Sequence, residues 1–148
     1  MAYRQHTWID GSAPALSASN LNEMEEGLAV SVASTNYSTT ETKIGTWING
    51  KPIYRKVINV GNMPNTATTK TVASGITNMS YMIRMYGIAQ SASGAFIPLP
   101  DTYPASNSNV YAIRIMYDLS NNMVQIQTAA DRSSYSGYVI LEYTKTTD

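Results

Sequence analysis

The chain has no cysteine and a single histidine, His6, in 148 residues. The first absence excludes disulfides, thiolate-held metals and thiol catalysis. The second removes the basis for histidine acid–base chemistry and for a multi-histidine metal site. Charge is scarce too: 14% of residues are charged, against about 25% in an average domain. Ten basic and ten acidic residues cancel, so the clustered basic surface that nucleic-acid binding requires is not expected. No apolar run approaches the roughly 18 residues needed to span a membrane. Residues 1–10 are too polar for a signal peptide, so any export is expected by another route, such as cell lysis. Phenylalanine occurs once, against eleven tyrosines.

With so little charge, the polar surface must come from Ser, Thr, Asn and Tyr. That composition favours strands and turns over helices. Tyrosine is the aromatic of half-wet places such as sheet faces, subunit interfaces and sugar-binding surfaces. The length fits one domain plus a short appendage, large enough to bury about two-thirds of its unfolded surface.

One helix is predicted over residues 20–33. Asn20-Leu21-Asn22-Glu23 has the form of a capping box, and Glu23, Glu25 and Glu26 favour a helix N-terminus. Leu21, Met24, Leu28 and Val32 recur at three- and four-residue steps and form one apolar stripe. A helix this short is marginal alone in water. Its stripe packs either on its own domain or in a short parallel bundle of identical helices. Gly27 lowers helix propensity, which favours a helix held by partners. Residues 31–42 read as a linker.

Strand patterns begin at Lys43. Residues 46–48 and 53–58 flank Asn49-Gly50, the strongest short hairpin signal. Further strands are predicted at 70–76, 80–89, 95–99, 109–119, 123–128 and 137–144, with a second hairpin turn at Ser120-Asn121-Asn122. Within 80–89, Tyr81, Ile83 and Met85 are expected on one face, with Met82, Arg84, Tyr86 and Ile88 on the other. Residues 101–109 and 131–136 read as loops. Short strands at about ten-residue spacing argue for an antiparallel sandwich or barrel.

Three segments carry a family resemblance. The opening Trp8-Ile9-Asp10-Gly11-Ser12-Ala13-Pro14-Ala15-Leu16-Ser17-Ala18-Ser19-Asn20-Leu21-Asn22-Glu23-Met24-Glu25 resembles the start of many structural proteins of phages and prophages of Gram-positive bacteria. The stretch from Tyr37 through Trp47-Ile48-Asn49-Gly50-Lys51-Pro52 to Lys56 resembles the lead-in to a small C-terminal β-domain of phage tail proteins and fibres, and Tyr143-Thr144-Lys145-Thr146-Thr147-Asp148 resembles the way such domains end. The resemblance implies a virion appendage. Residues 1–36 would attach to the particle, and residues 37–148 would form a jelly-roll-like antiparallel β-sandwich head in a homotrimer. It would be made in the bacterial cytoplasm and released by lysis. No shaft separates the two parts, and no catalytic motif comes with the resemblance.

Trp8, Leu21, Met24, Leu28 and Val32 are the expected anchor and trimer residues. Trp47 is either a packed aromatic or a stacking platform for a sugar. Asp101, Tyr103, Asn107 and Asn109 in one loop, and Asp131, Arg132 and Tyr135 in another, combine tyrosine with adaptable polar groups, as binding loops do. They are the expected receptor contacts, with cell-surface saccharide as the ligand. Arg84 and Arg114 are expected on the wet face of a sheet. The acidic residues of the β-region offer no spacing that singles out a glycosidase pair, and no metal or cofactor is expected. Two function classes remain: a trimeric host-recognition head without enzymatic activity, or a capsid or tail decoration protein with a structural or loosely glycan-adhesive role. Neither involves nucleic acid or membrane insertion.

Overall fold

The structure, a computed structural model, describes residues 18–65, 68–104 and 110–147. A single helix, α1 (Ala18–Thr35), precedes nine strands: β1 (Thr42–Thr46), β2 (Pro52–Asn62), β3 (Thr69–Ala73), β4 (Met79–Ser91), β5 (Phe96–Leu99), β6 (Asp101–Pro104), β7 (Val110–Asp118), β8 (Met123–Thr128) and β9 (Tyr135–Lys145). They form two antiparallel sheets, ordered β1-β2-β9-β4-β5 and β3-β8-β7-β6. The chain is mainly β, as its composition predicts.

Alternation along the strands sends one face of each sheet inward. Ile58, Val60, Ala89, Val139, Leu141 and Tyr143 from the larger sheet meet Ile113, Ile115, Val124 and Ile126 from the smaller in one buried core. Met63, Ile76 and Met79 extend that core. The outer strand pairs of a jelly roll are present, β2 with β9 and β3 with β8. The inner strands instead pair with sequence neighbours, β4 with β5 and β6 with β7. Between β4 and β5 the chain turns back within residues 92–95: Gly94 takes φ 89°, and Ser91 N donates to Ala95 O at 2.8 Å.

Both predicted hairpins are present. Gly50 takes φ 83° in the β1–β2 turn, and Asn122 takes φ 54° in the β7–β8 turn, a region open mainly to Gly and Asn. Other boundaries move. α1 starts at Ala18 and ends at Thr35, so Asn20 lies inside the first turn instead of capping it. The linker shrinks to an arm of residues 36–41. Residues 101–104, expected in a loop, pair with β7 as a strand. Tyr135, also expected in a loop, begins β9.

β4 corrects the expected faces. Its pairing with β9 slips between Met79 and Tyr81, and again between Met82 and Arg84. Each bulge advances the alternation by one residue. Met82 therefore joins Met85 against the core and does not share the outer face with Arg84, Tyr86 and Ile88. A close approach fixes another position. A β-carbon on Gly87 would collide with the carbonyl oxygen of Tyr138 on the neighbouring strand.

Candidate functional site

The outer face of the larger sheet divides into two halves. One is occupied by the arm. Val57 N donates to Ser38 O at 2.8 Å, which lays the arm along β2. Arg55 then ties three elements together. Its Nε and Nη2 reach Glu142 Oε1 on β9 at 3.0 and 2.9 Å. Its Nη1 donates to Ser34 O at 2.9 Å, at the end of α1. Its guanidinium also lies over the Tyr37 ring, 4.6 Å from the centroid. Tyr37 and Tyr86 hydroxyls meet at 3.3 Å, and Tyr86 donates to Glu142 at 3.5 Å. Burial, the Tyr37 hydroxyl and the Glu142 charge push the Tyr86 phenol up to about 12.

A second cluster fastens the arm from the inner side. The Glu41 carboxylate accepts from the Tyr143 hydroxyl and the Lys145 ammonium. The Tyr143 ring stacks on Tyr54 at 6.2 Å, and Lys145 Nζ lies 5.1 Å from the Tyr54 centroid. Burial and the Glu41 carboxylate hold the Tyr143 phenol well above its ordinary value. Glu41 and Glu142 are thus each engaged by a cation and a tyrosine hydroxyl, on opposite faces of β9. Sequence reasoning missed both clusters. Their only signal was charge inside otherwise apolar strands, at Arg55 and Glu142.

The expected receptor loops converge only in part. β6 pairs with the start of β7, and Ala129 N donates to Ala112 O at 2.9 Å. Asp101 and the 129–134 loop therefore flank the same end of the two sheets. Asn107 and Asn109 lie outside the described residues, as do Trp8 and the side chain of Tyr103. Asp131 is exposed, and the Ser133 amide and hydroxyl hold its carboxyl below the usual range. Tyr135 is half-buried against the core, with the Arg132 guanidinium 5.7 Å from its ring centroid. These two residues act first as structure. The part of this loop that borders an open cleft is Ser133 and Ser134.

Trp47 is half-buried and tilts against Tyr81, with centroids 6.4 Å apart. Arg84 and Arg114 are exposed, as expected for outer-face positions. Among the described residues no three acidic or histidine side chains gather as a metal site, and no helix is long and apolar enough to cross a membrane.

α1 touches the rest of the chain mainly along β1, with a Lys43–Glu26 ion pair at 3.1 Å. Its apolar stripe is left open: Leu21 and Met24 are each 45% exposed, Val32 54% and Leu28 67%. Leu28, Ala29 and Val32 line an open groove of about 550 Å³, closed on its other side by Ser38 and Thr42 of the arm and β1. No family model, curated protein or solved structure matches this chain.

Proposed function

We propose that the protein is a non-enzymatic phage virion appendage, a homotrimer that attaches to the particle through residues 1–36. Its β-sandwich head is presented to saccharide on the host surface. The observation that carries the reading is the open stripe on α1. The head leaves Leu21, Met24, Leu28 and Val32 in water, and an 18-residue helix gains little stability by itself. Identical helices packed side by side bury such a stripe and fill the groove beside Leu28 and Val32. The arm supports the assembly. Arg55, Glu41 and Tyr37 bind it to the head, so a helical bundle would hold the heads at fixed positions. The resemblance of the opening, the 37–56 stretch and the ending to virion proteins supplies the particle context.

The two glutamates of the arm clusters do not form a glycosidase pair. Glycoside hydrolysis needs two acids facing one substrate, whereas Glu41 and Glu142 are spent on the arm and face opposite ways. Light scattering on a sizing column tests the assembly. The full chain is expected at three times its monomer mass, and Leu28→Asp with Val32→Asp at the monomer mass with the far-ultraviolet β signal intact. A monomeric parent chain refutes the trimer.

A further inference from the structure

The half of the outer face that the arm leaves open carries one row of side chains across four strands. Phe96 on β5 stands opposite Gln90 on β4, Gln90 opposite Ser136 on β9, and Ser136 opposite Asn62 on β2. Cross-strand partners lie on the same face about 5 Å apart, so the four project together. With Ser91, Ala92, Ser133 and Ser134, the Asn62, Gln90 and Ser136 part of the row lines an open cleft of about 530 Å³, and Phe96 stands next to it as the cross-strand partner of Gln90. Its lining is hydroxyl and amide: Asn62, Gln90, Ser133, Ser134 and Ser136, with no charged residue. The side chains of Asn62, Gln90 and Ser136 make no hydrogen bond to another described residue, so their donors and acceptors face the cleft or water.

The aromatic setting matches. Phe96, the only phenylalanine of the chain, is 63% exposed. One row along the sheet, Tyr138 stands opposite Ile88, and the two are 47% and 44% exposed. Phe96, Tyr138 and Ile88 thus gather exposed apolar surface on neighbouring rows of one face, and a contiguous patch of this kind marks an interaction site where a single exposed residue would not. Surrounding charges turn to protein partners. Lys70 Nζ donates to the Asn62 carbonyl at 2.6 Å, Asp131 accepts from the Ser133 amide at 2.9 Å, and Arg132 lies along Tyr135.

Resting on the saccharide-binding reading above, we propose that this cleft is the sugar seat and that the sugar is neutral. A pyranose offers a C–H face to an aromatic ring and a rim of hydroxyls to neutral donors and acceptors. An anionic phosphate-linked polymer requires cations, and the lining supplies none. The seat is therefore built by strands β2, β4, β5 and β9 rather than by Tyr103 and Tyr135.

The test is an amide-shift titration of the full ¹⁵N-labelled chain. The probes are neutral oligosaccharides of glucose, galactose, rhamnose and N-acetylhexosamine, and poly(glycerol phosphate). At least one neutral sugar is expected to shift Gln90, Ser134 and Ser136 saturably. Phe96→Ala and Gln90→Ala are expected to weaken that binding by about two- to tenfold each, while Phe96→Tyr retains it and none of the three lowers the melting temperature. Shifts centred instead on Trp47 and Tyr81, or on residues 101–104, overturn the seat but keep saccharide binding. Binding of poly(glycerol phosphate) alone overturns the neutral-sugar assignment. No response to any probe overturns the saccharide reading itself.

Discussion

Glu142→Gln removes one charge from a pair whose side chains are 9 and 11% exposed. The Arg55 guanidinium then stays buried against a neutral acceptor. Breaking one side of a buried pair costs about 3–5 kcal/mol, because the remaining charge is left uncompensated. For a chain of this length each kcal/mol lowers the melting temperature by about 2–4 °C, so a fall of roughly 6–20 °C is expected. Replacing both partners, Arg55→Met with Glu142→Leu, removes the desolvation penalty along with the attraction. Stability should return to within about 1 kcal/mol of the parent. The double variant should still differ in one respect. Arg55 also holds the Ser34 and Asn36 carbonyls, so arm amides should exchange faster even where global stability is restored. Urea unfolding at fixed chain concentration measures the first effect, and hydrogen exchange at residues 36–41 and Val57 the second. The reasoning fails if Glu142→Gln stays within 0.5 kcal/mol of the parent, or if the double variant is less stable than the single.

Two further outcomes follow from neighbouring residues of β4. The Tyr86 phenol titrates near 10 in the unfolded chain and near 12 in the fold. Its contribution to stability is therefore complete below about pH 10 and is lost as pH rises toward 12. Melting temperature should fall across that window, with the raised Tyr143 and Tyr117 phenols contributing in the same direction, and Tyr86→Phe should make the fall shallower without abolishing it. An unchanged slope in Tyr86→Phe would show that another group governs it. Gly87→Ala places a methyl against the Tyr138 carbonyl. Strand β4 must then shift from β9, with an expected cost of about 1–3 kcal/mol, read by urea unfolding; a neutral effect would mean that the strands separate without resistance.

Local signals in the sequence were legible where local physics decides the structure. Asn49-Gly50 and Ser120-Asn121-Asn122 fix their turns through residues that accept positive φ. The 3–4–4 spacing from Leu21 to Val32 located α1, although its first turn begins two residues before the expected cap. What failed depended on partners distant in the chain. The phase of β4 reverses at two bulges that its own pattern does not encode, because the extra residues are defined by the pairing with β9. Tyr135 looked like a loop tyrosine because Ser133, Ser134 and Ser136 surround it; its place in β9 follows from pairing with Ser91. Phe96 drew no attention in a four-residue strand. Its meaning comes from Gln90, Ser136 and Asn62, which the register sets beside it.

β9 explains why the site was hard to see and why the face divides as it does. An antiparallel strand with one wet face alternates buried and exposed, and Tyr138 and Val139 still do. From Ile140 to Thr144 every residue is buried. The outward Ile140, Glu142 and Thr144 lose water because chain from elsewhere crosses that part of the sheet: Tyr37 reaches Tyr86, and Trp47 reaches Tyr81, the cross-strand partner of Thr144. That cover ends before Tyr138 and Ser136. The arm and its helix thus cover the end of the face around the Arg55–Glu142 pair, and the row from Asn62 to Phe96 is left open at the other end of the same strands. In the proposed assembly through α1, the contact lies on the helix stripe and the row lies away from it. If the proposed cleft binds neutral sugar weakly, the affinities would add up through the number of heads engaged at once.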